Sequence, residues 1–110
     1  MESPAAVTAL AALAHESRLA TFRLLVQAGP AGLTASKISE SLRIPASSLS
    51  FHLKELAHAG LLTSRQAGRF IIYAAQYDTM NALLGFLTEN CCGGNACFPV
   101  PDAVPSACSF

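Results

Sequence analysis

The residues with the most distinctive chemistry in this chain are its four cysteines, which all fall within the last twenty positions. Cys91 and Cys92 are adjacent, Cys97 follows after four residues, and Cys108 lies near the end. A buried structural cysteine behaves as a small apolar side chain and occupies a periodic core position. These cysteines lie instead in a stretch broken by glycine and proline, which indicates that their thiols have a role of their own.

Three chemistries compete for these thiols. A disulfide between Cys91 and Cys92 is disfavoured, because neighbouring Cα atoms lie about 3.8 Å apart and a disulfide needs roughly 4.4 to 6.8 Å. A disulfide between Cys92 and Cys97 is feasible and would make a redox sensor. Zinc usually takes four ligands from paired C-x-x-C motifs, a spacing that is absent here. A trivalent ion such as arsenite or antimonite needs only three soft thiolates, which Cys91, Cys92 and Cys97 supply.

A second chemical surface is predicted between Pro45 and Gly60. Leu49, Leu53 and Leu56 recur at the spacing of one apolar helix face. The opposite face has hydroxyls, a cation, an imidazole and a phenyl ring but little acid, and consists of Ser47, Ser50, Phe51, Lys54 and His58. Such a face suits the floor of a DNA major groove.

The neighbouring segments predict how this helix is held. A short helix pattern from Thr34 to Leu42 precedes it across a tight break, which is the helix-turn-helix arrangement with the second helix as the recognition helix. Two strand patterns, 61–66 and 69–73, follow it around a turn at Ala67-Gly68, and a hairpin in that place is a wing. The predicted DNA contacts are Lys37, Ser47, Ser48, Ser50, Phe51, Lys54, Arg65 and Arg69.

The charge distribution supports this interpretation although the net charge of the 110 residues is zero. Residues 34–73 contain five basic and two acidic residues, a charge of +3, whereas the rest contains two basic and five acidic, a charge of −3.

A length of 110 residues predicts one domain. No apolar run long enough to cross a membrane and no leader pattern are present, so we expect a cytoplasmic protein. No phosphate loop, paired carboxylates or Ser/His/Asp set indicates an enzyme.

Helices are also predicted on both sides of this unit. Val7, Leu10, Ala11 and Ala14 share one face of a first helix, and 16–27 forms a second with Leu19, Phe22, Leu25 and Val26 inward. A last helix should begin with Asp78 as its N-cap and run to about Asn90. Its apolar residues exceed what a small monomer can cover, which predicts a dimer through the first and last helices. His15 is predicted to be a structural or helix-capping residue, and His52 to be a satisfied structural histidine.

Together these motifs resemble the ArsR family of winged helix-turn-helix metalloregulatory repressors over roughly residues 5–97. The resemblance is carried by Leu13-Ala14-His15-Glu16-Ser17-Arg18-Leu19, by the 48–56 stretch with Ala59-Gly60-Leu61-Leu62, and by Arg65-Gln66-Ala67-Gly68-Arg69. It implies a homodimer that binds operator DNA, represses a detoxification operon and dissociates when its inducer binds.

The chain departs from the pattern of many arsenic-responsive relatives, because the Thr34–Leu42 region contains no Cys-x-Cys pair. No histidine follows His58, which argues against the terminal-helix zinc site of other branches. Cys91, Cys92 and Cys97 resemble the carboxy-terminal trivalent arsenic site of another subset. Phe51 stands where relatives often have a polar residue such as glutamine.

The prediction is therefore a mainly α fold with a small β-hairpin, in which residues 5–92 form the DNA-binding and dimerisation domain and 93–110 a cysteine-bearing tail. The predicted function is a dimeric repressor of a metalloid-resistance operon, induced by arsenite, antimonite or a methylated arsenical through Cys91, Cys92 and Cys97. Two alternatives remain. One is a thiol redox-sensing repressor, and the other is a small metalloid-sequestering protein that does not bind DNA.

Overall fold

The computed structural model describes residues 1–90, which form five helices and a three-stranded antiparallel sheet. None of the helices in this part of the chain is long and apolar enough to cross a membrane. In chain order the elements are α1 (Ser3–Leu13), α2 (Glu16–Ala28), β1 (Leu33–Thr34), α3 (Ala35–Leu42), α4 (Ala46–His58), β2 (Leu62–Ala67), β3 (Phe70–Ala75) and α5 (Tyr77–Leu87).

Side-chain caps set the beginnings of two central helices. The Nδ1 of His15 accepts a hydrogen bond from the backbone N–H of Ser17 at 3.2 Å, which confirms His15 as the N-cap of α2. Thr34 caps α3 in the same way. Its hydroxyl oxygen accepts from the N–H of Lys37 at 3.3 Å.

The turn between α3 and α4 is closed by Ser39. Arg43 adopts a left-handed conformation with φ of 55°, and the N–H groups of Arg43 and Ile44 both donate to the Ser39 carbonyl. The Ser39 hydroxyl donates to the Ile44 carbonyl at 2.5 Å. These bonds fix the angle at which α4 leaves α3, so the predicted helix-turn-helix is confirmed.

The core lies where α4 packs against α1, α2 and α3. Leu49, Leu53 and Leu56 of α4 are all buried, as predicted, together with Leu25 of α2 and Ile38 of α3. One face of α4 is thus fixed in the protein interior, and its orientation is determined by side chains from three other helices.

The sheet has the strand order β1-β3-β2, and β2 and β3 form the predicted wing. Ala67 pairs with Phe70, so the connecting residues are Gly68 and Arg69, one position later than predicted. Gly68 has φ of 64°, which a two-residue hairpin turn demands at its first position. Sequence analysis missed β1, because a two-residue strand carries no alternating pattern.

The start of α5 differs from the prediction, and α1 buries its alanines. In α1 the small residues Ala6, Ala9 and Ala12 are buried, whereas Val7 and Leu10 are exposed. Asp78 lies inside the first turn of α5, whose N-cap is Gln76.

The inward face of α2 was predicted only in part. In α2, Phe22 and Leu25 are buried, but Leu19 is exposed, contrary to the prediction. In α5, Leu83 is buried, while Leu84 and Leu87 are exposed.

Candidate nucleic-acid interface

The exposed face of α4 carries most of the side chains predicted to contact DNA. Because side chains three or four positions apart share a helix face, burial of the leucine stripe turns the residues between them outward. All of the predicted contact residues on this helix are exposed, namely Ser47, Ser48, Ser50, Phe51 and Lys54. The helix thus presents hydroxyl groups, one ammonium group and one phenyl ring on a rigidly held surface. Lys37 is also exposed, on the first turn of α3.

The two wing arginines have different environments. Arg69 is exposed in the turn at the tip of the wing. Arg65 lies on β2, where its guanidinium donates to the carbonyl of Ala31 at 3.0 Å and to that of Pro30 at 3.5 Å. Carbonyl groups do not cancel the cationic charge of Arg65, but they fix its position and tie the wing to the loop after α2. Arg69 is therefore the cation at the tip, and Arg65 is a cation held at the side.

Behind the exposed face of α4 lies a histidine pair. His52 is only 8% exposed, and its ring packs against that of His15, with centroids 4.6 Å apart. Among the residues described, the His52 Nδ1 is a buried nitrogen with no hydrogen-bond partner. The prediction that His52 is structural agrees with its burial, but the prediction that it is satisfied was wrong. Burial lowers the pKa of His52, and the nearby His15 and Arg18 lower it further.

We expect this histidine to make the fold sensitive to acid. The native state binds a proton at His52 less readily than the unfolded chain does, so the free energy of unfolding should fall as the pH drops below about 6.5. Urea unfolding at a series of pH values measures this slope. His52→Leu, which cannot take up a proton, should flatten it, whereas the exposed His58→Gln should leave it unchanged. Equal slopes for the wild type and His52→Leu would contradict the assignment.

The predicted metalloid ligands Cys91, Cys92 and Cys97 lie outside the described residues. They follow closely on the carboxyl end of α5, whose last residue is Leu87. Within residues 1–90 no group of three or more His, Cys, Asp or Glu side chains is arranged to hold a metal ion.

Comparison with known proteins agrees with this geometry. A family model described as a helix-turn-helix domain matches residues 13–65. The HTH-type transcriptional regulator YceK of Bacillus subtilis is 36% identical over 77 residues, which make up 69% of this chain and 76% of YceK. An ArsR-like transcriptional regulator from Rhodococcus sp. RHA1 is 28% identical, with a TM-score of 0.69 over 76% of each chain. This chain belongs to the ArsR family of winged helix-turn-helix transcriptional regulators.

A second similar structure shares the fold. It is a homodimeric winged helix-turn-helix DNA-binding domain from Mycobacterium bovis, 22% identical, with a TM-score of 0.64 over 79% of this chain and 81% of that one. As an ArsR-family member, the present protein is a transcriptional regulator and not an enzyme. Its helix-turn-helix is the DNA-binding element, formed by α3 and α4.

Two features of this ArsR-family chain were missed by reasoning from its sequence. The hydrogen bonds of Arg65 to Pro30 and Ala31 span more than thirty positions, and the packing of His52 on His15 also joins distant segments. Only the place of His15 was visible in the sequence, because a residue that caps α2 lies at the start of that helix.

Proposed function

We propose that this protein is a homodimeric repressor that binds operator DNA through α4 and the wing and dissociates when trivalent arsenic binds to its carboxy-terminal thiols. The observation that carries the DNA-binding part is the exposed polar face of α4, which is fixed by its buried leucine stripe; the wing adds the exposed cation Arg69 at its tip. Hydroxyl and ammonium groups donate hydrogen bonds to phosphates and base edges, and no acid interrupts the four exposed positions Ser47, Ser50, Phe51 and Lys54.

The dimer is supported by exposed apolar side chains on α1 and α5. These two helices contact each other, and Val7, Leu10, Leu84 and Leu87 are between 42% and 63% exposed on them. A set of large apolar side chains left uncovered on adjoining helices is typical of a subunit interface. The M. bovis domain with the same fold is described as homodimeric. Two copies of α4 would then face half-sites about 34 Å apart on one side of the duplex.

The inducer is proposed from thiol chemistry. Cys91, Cys92 and Cys97 offer three soft sulfur ligands, and trivalent arsenic prefers three thiolates in a pyramid. They follow α5, one of the two helices assigned to the subunit interface. Closing three thiolates around an ion there would change the angle of α5 and hence the spacing of the two recognition helices. Allosteric couplings of this kind amount to about 1 to 3 kcal/mol.

A salt titration tests the DNA-binding proposal. Duplexes are first selected from a random-sequence pool with the 110-residue chain, and the binding constant of the chain for them is then measured at several salt concentrations. Lys54→Ala and Arg69→Ala should each weaken binding and reduce the slope of log K against log salt by about one unit for each phosphate that is no longer neutralised. Arg23→Ala removes an exposed cation on α2, outside the proposed interface, and should leave the slope unchanged.

The outcomes of this titration distinguish a DNA-binding repressor from a metalloid-sequestering protein. If no duplex is selected, or if Lys54→Ala and Arg69→Ala bind as the wild type does, the protein does not use this surface on DNA. A metalloid-sequestering role would then be favoured, provided that the purified chain still takes up arsenite.

A further inference from the structure

One side chain on the recognition helix is unlike its neighbours. Phe51 is 55% exposed, and among residues 1–90 it is the only large apolar side chain of α3 or α4 that is exposed. Ser47, Ser50 and Lys54, at positions i−4, i−1 and i+3, are all exposed with it. The ring of Phe51 meets the ring of His52 only edge-on, with centroids 6.1 Å apart. On the face proposed to contact DNA, the apolar ring of Phe51 is therefore surrounded by polar side chains.

The ring of Phe51 cannot take part in hydrogen-bond recognition of a base. A phenyl ring has no donor or acceptor, and the base edges in the major groove present hydrogen-bonding groups except at C5 of the pyrimidines. This position is a C–H in cytosine and a methyl group in thymine, so the thymine 5-methyl group is the largest apolar feature of the major-groove floor. Contact with this methyl would remove ring surface from water without leaving a base donor or acceptor unpaired.

The place of Phe51 along α4 suits such a contact. The helix begins at Ala46, so Phe51 lies in its second turn and one turn beyond Ser47. In the helix-turn-helix arrangement the amino-terminal part of the recognition helix meets the base edges. The later turns, with His58 at the end of α4, lie farther from them.

We propose that Phe51 is a specificity-determining residue that selects thymine by contact with its 5-methyl group in the major groove. The inference rests on the proposed DNA-binding function and adds the base that one named side chain recognises. The other large apolar residues that are exposed in the described chain lie at its amino terminus and on α1, α2, β3 and α5, so they do not belong to this face.

The test uses duplexes selected from a random-sequence pool by the wild-type chain. Each thymine is replaced in turn by deoxyuridine, which removes the methyl group and keeps the hydrogen-bonding pattern. At one position in each half-site the wild type should bind about fourfold more weakly, as expected for one apolar group of methyl size. Phe51→Ala should bind the thymine and deoxyuridine duplexes equally, because alanine does not reach the methyl group.

Matched variants control for indirect effects. Leu19 is 45% exposed on α2, so Leu19→Ala removes a similarly exposed apolar side chain from a surface outside the proposed interface and should retain the fourfold thymine preference. Phe51→Leu should retain a smaller preference. The thermal midpoint of Phe51→Ala should match that of the wild type, since this side chain is not part of the core.

Two results would overturn the inference while leaving the proposed function intact. One is a wild type that binds every deoxyuridine duplex as tightly as the parent duplex. The other is a Phe51→Ala variant that shows the same deoxyuridine penalty as the wild type. Failure of the wild type to select any duplex would instead overturn the DNA-binding function, and this inference with it.

Discussion

Gly32→Ala should destabilise the protein by about 2 to 4 kcal/mol, which for a domain of this size lowers the thermal midpoint by roughly 10 to 25 °C. Gly32 has φ of 70°, a conformation that residues with a Cβ rarely adopt. A Cβ at this position would clash with the carbonyl oxygen of Tyr73 and would lie 2.8 Å from the Cγ2 of Ile72. Because this oxygen belongs to the backbone of β3, the clash can be relieved only if β1 and the loop before it move away from β3.

Gly60→Ala provides the control for backbone strain alone. Gly60 has φ of 79°, but the nearest atom to an added Cβ is the Oγ1 of Thr79 at 3.8 Å, an ordinary van der Waals distance. This variant should lose only about 1 kcal/mol. Thermal and urea unfolding of the two variants measure the difference. If they are equally stable, the close approach of the Gly32 loop to β3 does not constrain the fold.

Arsenite should fail to release operator DNA from the Cys91→Ser, Cys92→Ser and Cys97→Ser variants, although each should bind DNA as the wild type does. Three thiolates are needed to complete the pyramid around the ion, so the loss of any one should abolish the response. The wild type, kept reduced, should lose affinity for DNA by about 5- to 150-fold at saturating arsenite. Fluorescence anisotropy of a labelled operator duplex, titrated with arsenite, antimonite and zinc, measures the release.

Cys108→Ser is the matched control for this series, since it removes a thiol from the same tail without touching the three proposed ligands. It should respond to arsenite as the wild type does. Normal release by all three ligand variants would refute the site. Release by peroxide in metalloid-free buffer, with a Cys92–Cys97 crosslink seen by mass spectrometry, would indicate the redox-sensing repressor instead.

The recognition helix was predictable because its sequence separates two faces sharply. Leu49, Leu53 and Leu56 are large and apolar, and apart from Phe51 the residues between them are polar, so this helix has one face that is favourable to bury. In α1 both faces are apolar, so hydrophobicity did not determine which one is inside. The structure buries Ala6 and Ala9 and leaves Val7 exposed, because small side chains allow neighbouring helices to approach closely.

Contacts between segments that lie far apart in the chain could not be predicted from the sequence. The wing was predicted from strand patterns, but the bond from Arg65 to the Ala31 carbonyl depends on a loop that no local pattern places beside β2. The packing of His52 against His15 has the same origin. The exposure of the predicted DNA-contact residues on α4 was thus predictable, whereas the loop and core groups that hold this helix and the wing in place were not.

The attachment of α5 determines how this helix can move. Two hydrogen bonds hold its start, one from the Gln76 N–H to the Leu61 carbonyl at 2.8 Å and one from the Tyr77 hydroxyl to the Val26 carbonyl at 3.3 Å. Leu87, its last residue, has an exposed side chain. Leu83, six residues after Tyr77, is buried in the core, so a tilt of the helix about its held start must also move this side chain. Over the roughly 15 Å from Tyr77 to Leu87, a tilt of 10° would displace the end of the helix by roughly 3 Å, nearly the length of one extended residue.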